Sequence, residues 1–586
     1  MKFQICRVIS SKTECKIKQF ELKPAQKTIL TIYASSGVGA AIGVIVSVIV
    51  AGFFYLVQHA HTMDVLGRAR FVHLGTAILD FKIVLFISLA AVSILALRKL
   101  FGITKWNGPA DSIYAAHQNT EKLDIKTGVA STIAALFSAA GYASVGQYGP
   151  LVHFGATAGT AAKKLLKLRI GTDVVIGCGV AAAISSGFAA PIAGVIFAHE
   201  AILRHYSPRA MAPIATSAIV AAAMESYFFN IPYPLEILET GPTLVNSFLP
   251  VAISGIIFGL VAILFMQCLR YFARLHGRLD RPVYQSIFIA ALAVSAVSLF
   301  IPEALGPGTE VLASILNTQG SLLFMVSLLL VKIVITSLCL GFGFFGGVFL
   351  PSLLIGAATG AILAKCLALL GVPGLGMALA LAGMASVAAC VVGAPLATVF
   401  IVLELTLSYE FTLIALLSVI VSQVISSHLF GNSFFDRQLL DRGIDLRFGR
   451  GKFRLSQSRV VECVHDNFVS TTSVCTVETV ISRLSQARQT EAYCLSQEGK
   501  LEGKLSIIKL TEADRHQAVQ EIMDRTPAFL ESEQNMLEAI KVASGFVGET
   551  IPVLEKSSGK MMGVVREADL FCAYLDIQKD VQDIEK

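Results

Sequence analysis

Two short segments of this chain carry glycine and proline in the same order and at the same spacing. The shared positions are Pro150, Gly155 and Gly159 in the first segment and Pro351, Gly356 and Gly360 in the second. Proline suits the first position of a helix, because the N–H that it lacks would have no partner there. A helix that starts inside an apolar layer presents free N–H groups and the positive end of its dipole to whatever lies in front of it. The repeat therefore predicts two helix starts, at Pro150 and Pro351, that are suited to an anion.

A second pair of matching positions follows the first. Glu200 comes after Pro191 at the same spacing as Glu404 comes after Pro395. Repeated apolar halves that glycine and proline interrupt at corresponding places are typical of transporters whose site lies between broken helices at the bilayer midplane. The predicted fold class for this part is therefore an all-α polytopic membrane domain with two repeats of broken helices. We interpret both glutamates as structural.

The composition is that of a membrane protein. Of the 586 residues, 54% are hydrophobic and 15% are charged, and the mean hydropathy is +0.69, whereas about 25% of the residues in soluble domains are charged. Apolar stretches long enough to span a bilayer recur between about residues 29 and 430, so we expect roughly ten or more spans. The clearest stretches are 39–54, 83–97, 251–265, 322–342 and 413–425.

The segment before the first apolar stretch is basic. Its basic residues are Lys2, Arg7, Lys12, Lys16, Lys18, Lys23 and Lys27. Because positive charges beside a first span stay in the cytoplasm, we expect residues 1–28 to be cytoplasmic and not a signal peptide. The net charge of +6 is then a topology signal, and no nucleic-acid partner is expected, since no basic cluster lies beside stacking aromatics. The 11 cysteines have neither metal-ligand nor disulfide spacing.

The composition changes after the charged stretch that begins at Asp436, and no spanning segment follows. We predict a membrane domain over 29–446 and a cytoplasmic α/β domain over 447–586. Two similar units, about 458–510 and 523–576, each combine an amphipathic helix with two short strands joined by a turn. The predicted helices cover 474–484 and 534–543, and the predicted strands cover 492–495, 504–508, 551–554 and 562–565.

This C-terminal pattern resembles a pair of CBS modules. The turns at 497–499 and 556–559 fit the tight link between two strands, and the run from Gly563 to Asp569 resembles the end of a CBS unit. The resemblance implies that Asp569 binds an adenine nucleotide. Arg566 departs from the family pattern, which often has Ser or Thr at this position. The alternative to nucleotide binding is that the CBS pair only supports the structure or a dimer.

The membrane part, about residues 30 to 450, resembles the CLC family of chloride channels and chloride/proton exchangers. Segment 146–150 reads Gly-Gln-Tyr-Gly-Pro where the family has G-R-E-G-P, and segment 347–351 matches its G-x-F-x-P. Segment 187–194 matches the run before the inner acidic pair, and segment 432–443 matches the last membrane helix. The resemblance implies two inverted repeats, an anion pore within each subunit, and a homodimer in the lipid bilayer.

The resemblance also implies which residues contact the anion. These residues are Asn107, Gly108, Gln147, Gly149, Val348, Phe349 and Leu350. The segment 106–109 lies where the family has G-S-G-I-P, with an alignment open by one residue, and an amide at Asn107 would donate to chloride in place of a hydroxyl. Trp106, the only tryptophan, either faces the outer pore with its indole N–H or anchors the chain at the membrane interface. We expect the anchor.

Three positions depart from the exchanger pattern. Tyr148 stands where exchangers have a proton-carrying glutamate, and a phenol, with a pKa of about 10, cannot cycle protons at ordinary pH. Ala201 stands where the second acid of the inner pair would be, and Phe435 stands where many members have a tyrosine that donates to chloride. We expect Tyr148 and Phe435 to form the gate, and the alternative for Tyr148 is simple packing beside the glycines. We interpret His153 and His199 as helix-packing residues and not as a substitute proton path.

The predicted function is passive transport of chloride and similar small anions across the plasma membrane, without proton coupling, catalytic residues, a bound metal or a required cofactor. The first alternative is a chloride/proton antiporter that uses non-standard proton groups. A divalent-cation carrier would need several intramembrane carboxylates, which the pore motifs lack. A sensor without transport would not need broken helices.

Overall fold

The computed structural model describes residues 24–64, 71–74, 77–118, 123–168, 170–229, 244–317, 320–446 and 449–585. The basic residues before Pro24, together with Cys6 and Cys15, lie outside these ranges. Up to residue 446 the described chain is mostly helical, and residues 449–585 contain two small β-sheets. The predicted fold class, a helical membrane part followed by an α/β part, is confirmed.

The first part consists mainly of helices, since a backbone in a bilayer must satisfy its hydrogen bonds within itself. The helices are α1 (Pro24–Thr62), α2 (Phe81–Phe101), α3 (Pro109–His117), α4 (Ile125–Ala140), α5 (Tyr148–Leu166), α6 (Thr172–Phe188), α7 (Pro191–Phe197), α8 (Pro208–Met224), α9 (Leu244–Leu279), α10 (Val283–Val297), α11 (Thr309–Leu316), α12 (Leu322–Gly341), α13 (Phe349–Leu369), α14 (Gly376–Val392), α15 (Pro395–Thr406), α16 (Tyr409–Leu429) and α17 (Phe434–Leu440). An antiparallel hairpin of β1 (Phe71–Leu74) and β2 (Ala77–Asp80) lies between α1 and α2. Two π-helical segments extend α7 and α8, over Ala198–Leu203 and Glu225–Phe229.

Seven helical segments of the described chain are long and apolar enough to cross a membrane, and six further apolar helices have only 10–17 residues. Four of the five clearest apolar stretches in the sequence lie entirely in helices, and the fifth, 322–342, extends one residue beyond α12. The expectation of roughly ten or more full spans is too high for the described residues. The reason is that glycine and proline divide much of the apolar sequence into helices too short to span a bilayer upright.

The two repeats share the packing of one helix pair. α5 packs on α6, and α13 packs on α14. A Cβ added to Gly155 would collide with the carbonyl oxygen of Gly179, and a Cβ added to Gly356 would collide with that of Gly383. Only glycine permits this approach of the helix axes. The repeat that the glycine spacing predicts is thereby confirmed in two equivalent helix pairs.

Both repeat helices begin earlier than predicted. α5 begins at Tyr148 and α13 begins at Phe349, two residues before the prolines that were expected to mark the starts. The N–H of the third helical residue has no intrahelical acceptor either, so Pro150 and Pro351 fit there as well as at the first position. The correction moves Tyr148 and Phe349 from the preceding loops into the first turns of the two helices.

The second part repeats one small sheet. Its elements are α18 (Gly449–Gln457), β3 (Val469–Thr471), α19 (Val477–Ala487), β4 (Glu491–Leu495), β5 (Leu501–Ser506), α20 (Ile507–Glu512), β6 (Leu530–Glu531), α21 (Met536–Ala543), β7 (Thr550–Leu554), β8 (Met561–Arg566) and α22 (Glu567–Glu585). The strand orders are β3-β4-β5 and β6-β7-β8, each with a parallel pair followed by an antiparallel pair. The same irregularity of register occurs near the end of both antiparallel pairs. The two predicted units are therefore one repeated structure.

Within these units the sequence predicts the longer elements best. The predicted turns contain Gly499 and Gly559, whose φ angles are 79° and 69°. β3 and β6 were missed, since strands of three and two residues are too short to show a period. The strand predicted over 504–508 is wrong at its end, because the Ser506 hydroxyl accepts from the Lys509 N–H at 3.5 Å and starts α20.

The first helix of the second part is attached to the membrane part. Arg450 in α18 is 6% exposed. Its guanidinium donates to the carbonyl oxygen of Ala116 at 2.9 Å and lies 3.4 Å from the carboxylate of Asp173. α18 also packs on α21 and α22. This helix therefore connects the sheets of the second part to the ends of α3 and α6.

Candidate functional site

The segments before α5 and α13 pair with each other. The Gly146 N–H donates to the Gly347 carbonyl at 2.7 Å, and the Gly347 N–H donates to the Gly146 carbonyl at 2.6 Å. A Cβ added to Gly149 would lie 2.9 Å from the Cα of Gly347. This bridge holds the first turns of α5 and α13 against each other, so the two helix starts that the repeat predicts lie together.

A third helix start reaches the same place. A Cβ on Gly149 would lie 3.6 Å from the ring of Pro109, the first residue of α3, and a Cβ on Gly108 would lie 3.9 Å from the ring of Phe345. The N-termini of α3, α5 and α13 therefore converge, and their positive dipole ends act on one region. An anion in this region would be stabilised without a basic side chain.

The first turn of α13 supplies free donors. The first helical hydrogen bond runs from the Ser352 N–H to the Val348 carbonyl at 3.0 Å. Within the described part of the chain, neither the Phe349 N–H nor the Leu350 N–H donates to another backbone carbonyl. Both groups lie beside the glycine bridge, so this turn presents two amide donors to the convergent region.

The first turn of α5 is built in the same way. Its first bond runs from the Leu151 N–H to the Gln147 carbonyl at 3.3 Å, which leaves the N–H groups of Tyr148 and Gly149 in the positions that Phe349 and Leu350 occupy in α13. Gln147 is buried and has helical backbone angles, and its side chain makes no capping hydrogen bond. The side-chain amide is therefore a further donor at this helix start.

The start of α3 is arranged differently. The Gly108 N–H donates to the carboxylate of Asp111 at 2.8 Å, and the Asn107 N–H donates to the Ser131 hydroxyl at 3.0 Å. Asp111 in turn accepts from Arg442 at 2.7 Å, which offsets its negative charge beside the helix start. The amides of both predicted anion contacts are thus engaged, and the group that Asn107 can offer an anion is its side-chain amide.

Trp106 is buried and not an interfacial anchor. It is 8% exposed, its ring lies 6.0 Å from the ring of Phe345, and the guanidinium of Arg98 lies 5.0 Å from the centre of the ring. The indole Nε1 is buried and has no hydrogen-bond partner in the described structure. The expected anchor is wrong because these contacts enclose the ring beside the start of α3, where its N–H is a donor near the convergent region.

Tyr148 lies in an aromatic cluster at the start of α5. Its ring stacks on Phe188 with a centroid distance of 3.9 Å and meets Phe349 and Phe54 edge-on at 6.1 and 5.9 Å. Its hydroxyl donates to the Gly187 carbonyl at 3.0 Å. The ring therefore lies between the first turn of α5, the end of α6 and the first turn of α13. The sequence does not reveal the Gly187 contact, although Gly187 belongs to a motif that the resemblance singles out.

Glu200 and Glu404 cap helices of the opposite repeat. The carboxylate of Glu200 accepts from the N–H groups of Leu396 and Ala397 at 3.0 and 2.9 Å, at the start of α15. The carboxylate of Glu404 accepts from Ile192 and Ala193 at 2.9 and 2.8 Å, at the start of α7. A carboxylate at a helix N-terminus satisfies donors that have no intrahelical partner. The structural role predicted for both glutamates is confirmed.

Comparison with known proteins decides the family. The sequence profile of the voltage-gated chloride channel family matches residues 89–427, more than half of the chain. The chain belongs to the CLC family. It is an integral, multi-pass membrane protein of a family that transports chloride, and this family consists of transporters and channels, not enzymes.

Individual CLC proteins agree with the family profile. A ClcB-like protein of Ralstonia nicotianae is 27% identical over 347 residues, which cover 57% of this chain and 80% of that protein. The voltage-gated ClC-type chloride channel ClcB of Escherichia coli is 24% identical over 332 residues, covering 56% of this chain and 79% of that protein.

Solved CLC structures share the fold. A slow cyanobacterial Cl⁻/H⁺ antiporter superposes with a TM-score of 0.62 at 21% identity, over 70% of this chain and 97% of that one. A eukaryotic CLC transporter superposes with a TM-score of 0.60 at 19% identity, over 92% of this chain and 98% of that one. The second alignment is long enough to include most of residues 449–585.

Two of the three departures from the CLC exchanger pattern lie near a polar cavity. Phe435 is the second residue of α17 and is 6% exposed, and Ala201 is buried in the π-helical end of α7. A cavity of about 390 Å³ lies between these elements, and Glu200, Asn432 and Asp436 are among the residues that line it. Neither Phe435 nor Ala201 can donate a hydrogen bond or carry a proton with its side chain.

The two histidines that were considered as proton groups, His153 and His199, are buried and packed. His153 Nδ1 is hydrogen-bonded to the Ser112 hydroxyl at 2.8 Å, which joins α5 to α3. His199 Nδ1 donates to the His205 carbonyl at 2.9 Å, and its ring stacks on Tyr206 at 5.1 Å. The Nε2 atoms of His153 and His199 are buried without a partner in the described structure. These contacts agree with the predicted packing role.

In the C-terminal part, Asp569 is engaged within its own unit. Its carboxylate accepts from the Arg566 N–H at 3.1 Å and lies 3.1 Å from His465 Nε2. Nucleotide binding by Asp569 stays a prediction.

A polar network between the two units was missed from the sequence. Lys504 pairs with Glu491 at 2.7 Å, and Glu491 accepts from the Thr550 N–H at 2.8 Å. The hydroxyl of Tyr493 donates to the Thr550 carbonyl at 2.9 Å, and burial raises the pKa of this phenol, so it stays a donor. The network joins β4 and β5 of one unit to β7 of the other.

Proposed function

We propose that this protein conducts chloride and similar small anions passively, without moving protons in exchange. The observation that carries the proposal is Tyr148, whose neutral hydroxyl donates to the Gly187 carbonyl at the start of α5, where exchangers of the family carry an acid. An exchanger needs a group that binds and releases a proton as the anion passes. A phenol, whose ordinary pKa is about 10, does not gain and lose a proton near neutral pH.

The inner side supports the same proposal. Ala201 has no titratable group, and the neighbouring Glu200 holds two N–H groups of α15 at 2.9 and 3.0 Å. These two contacts tie the carboxylate to the start of α15. We therefore propose that Glu200 caps this helix and does not take part in proton transfer.

We propose that the anion binds where α3, α5 and α13 converge. The N–H groups of Phe349 and Leu350 are the main donors, next to Val348 at the start of α13. From α5, the Gly149 N–H is the equivalent of the Leu350 N–H, and Gln147 contributes its side-chain amide. The start of α3 lies at Gly108. Such donors bind an anion through dipoles and single hydrogen bonds, roughly 1.5–3 kcal/mol each to a charged group, which leaves binding weak enough for release.

Two side chains complete this proposed site. The amide of Asn107 and the indole N–H of Trp106 lie beside the start of α3, and the indole N–H has no other partner in the described structure. A buried donor without a partner costs free energy, and a bound anion would satisfy it. We propose Tyr148 as the outer gate and Phe435 as the inner constriction. Both rings are buried in the first turns of helices, Tyr148 against Phe349 of α13 and Phe435 in α17, which packs on α3.

Purified protein in liposomes tests this proposal. A chloride gradient is imposed, and chloride efflux and the internal pH are recorded together. We expect chloride to leave without proton uptake against the proton gradient. Proton movement in a fixed ratio to chloride would contradict the uncoupled mechanism, and the absence of any chloride flux would contradict anion conduction itself.

The alternative function is chloride/proton exchange. Its support is that the solved structures with this fold include a slow cyanobacterial Cl⁻/H⁺ antiporter and a CLC-type fluoride/proton antiporter. The buried His153 and His199 would then be the proton groups. The liposome measurement separates the two functions, because only exchange moves protons uphill.

We propose the same domain limits for the whole chain as the sequence predicts, with residues 29–446 in the membrane and 447–586 as a cytoplasmic CBS pair. The repeated strand order of the two small sheets supports the pair. Family membership supports a homodimer, and the basic N-terminal segment supports cytoplasmic termini and a plasma-membrane location.

A further inference from the structure

Lys332 is a charged residue in the middle of a membrane helix. It is completely buried, at the eleventh position of α12, which is one of the helices long enough to span. Its ammonium donates to the carbonyls of Ala304 and Gly306, both at 3.0 Å. Among the residues that the structure describes, no carboxylate forms an ion pair with it. A charge placed like this is costly, and in membrane proteins such charges mark ion pathways.

One of the two carbonyls that accept from Lys332, that of Ala304, also accepts a hydrogen bond from the loop before α5. The Ser144 hydroxyl donates to the Ala304 carbonyl at 3.1 Å and is hydrogen-bonded to the Thr336 hydroxyl at 2.8 Å. Thr336 lies one turn after Lys332 on α12, and Ser144 lies two residues before Gly146. The ammonium is therefore linked through one shared carbonyl to the loop that forms the glycine bridge.

Lys332 also lies close to α13. A Cβ added to Gly308 would lie 3.3 Å from the Lys332 ammonium and 2.9 Å from the Leu354 side chain, which is one turn beyond Leu350. The φ angle of Gly308 is +85°, which favours glycine. The charge is thus enclosed between the loop before α5, the turn at Gly308 and the first turns of α13.

We propose that Lys332 is a positioning residue that sets the affinity of the anion site through the positive charge of its ammonium. The inference rests on the proposed anion site. The segments 142–150 and 345–351 contain no lysine or arginine, so their own donors are dipoles. The positive charge of the Lys332 ammonium attracts an anion through a medium of low polarity, where salt screens it little. Because the ammonium binds the carbonyls of Ala304 and Gly306, it acts on the anion through its electric field and not through a direct contact.

Bromide binding by titration calorimetry tests the role of the charge, with folding of each variant checked by gel filtration and thermal unfolding. Lys332→Gln keeps a donor but removes the charge, and we expect about tenfold weaker binding. Lys332→Arg keeps the charge and should bind within about twofold of the natural protein. Ser144→Ala breaks the shared hydrogen bonds without changing any charge and should leave the affinity nearly unchanged.

A second pair of variants keeps Lys332 in place. Thr336→Asp puts a carboxylate one turn from the ammonium and should weaken bromide binding as Lys332→Gln does, whereas the neutral Thr336→Asn should not. Equal affinity of Thr336→Asp and Thr336→Asn, or of Lys332→Gln and the natural protein, would overturn the inference. So would a loss in Ser144→Ala as large as that in Lys332→Gln, because the effect would then come from the hydrogen bonds. Failure of the natural protein to bind bromide would contradict the proposed anion site instead.

Discussion

At the scale of the residue, Tyr148 has a bulky ring that packs against other aromatic rings and a hydroxyl that donates a hydrogen bond. The Gly187 carbonyl accepts from its hydroxyl at 3.0 Å, and the ring stacks on Phe188 at 3.9 Å. A carboxylate cannot donate to a carbonyl, and the two oxygens would repel each other. The phenol is therefore suited to the place that it occupies, and a glutamate here would have to take another position.

Removing the hydroxyl or the whole ring of Tyr148 should make it easier for chloride to pass the outer gate. Tyr148→Phe loses the hydrogen bond to Gly187, a neutral bond contributing about 0.5–1.5 kcal/mol, and should raise chloride flux by roughly twofold to tenfold. Tyr148→Ala removes the ring and should raise flux further. Tyr148→Glu should make flux depend on pH while coupling stays poor, because Ala201 still lacks a proton group. Chloride efflux from liposomes at several pH values measures all three.

Tyr409→Ala is a suitable control for this series, because Tyr409 is 68% exposed at the start of α16. Its flux should equal that of the natural protein. If the three Tyr148 variants also leave flux unchanged, Tyr148 packs away from the path and the gate lies elsewhere.

At the scale of the element, the sequence predicts the helices that position the site but not the contacts between them. Glycine and proline are local signals, so the matching starts of α5 and α13 follow from spacing alone. The capping contacts cannot be predicted from spacing, because Glu404 accepts from Ile192 and Ala193, which lie more than 200 positions earlier in the chain. The Gly187 acceptor of Tyr148 and the Ala304 acceptor of Lys332 were missed for the same reason, since no local pattern shows which carbonyl a distant side chain will meet.

Glu404→Gln should loosen the contact between the repeats. An amide offers a single neutral oxygen to the two N–H groups at the start of α7, and the loss of a charge-assisted hydrogen bond costs roughly 1.5–3 kcal/mol. We expect a lower unfolding temperature in detergent, measured by intrinsic or dye fluorescence. Glu303→Gln is the control, since Glu303 is exposed and should leave the temperature unchanged. Equal unfolding temperatures for both variants would mean that the caps contribute nothing to stability.

At the scale of the whole molecule, the membrane part and the two small sheets are joined through α18. Arg450 is buried at this joint and binds Ala116 and Asp173 on the membrane part. A buried ion pair that loses one partner leaves an uncompensated charge and is strongly destabilising. The contacts of Arg450 therefore help to hold the C-terminal part against the membrane part.

Arg450→Leu should free the C-terminal part. We expect proteinase K to release a fragment of the size of residues 447–586 about tenfold faster or more, because cleavage follows the population of the open form. Arg459→Leu changes an exposed arginine in the following segment and should cleave at the natural rate. Identical release from both variants would show that α18 holds the two parts together by other contacts.

The reciprocal caps by Glu200 and Glu404 also affect how the protein folds during its synthesis. When α7 leaves the ribosome, the carboxylate that will cap it has not been translated, and at roughly 5–20 residues per second it follows only after about 10–40 s. During that interval the N–H groups of Ile192 and Ala193 lack the carboxylate that accepts from them in the folded protein. The nascent chain therefore needs a temporary partner for these amides, such as water, lipid headgroups or the insertion machinery, until its second repeat arrives.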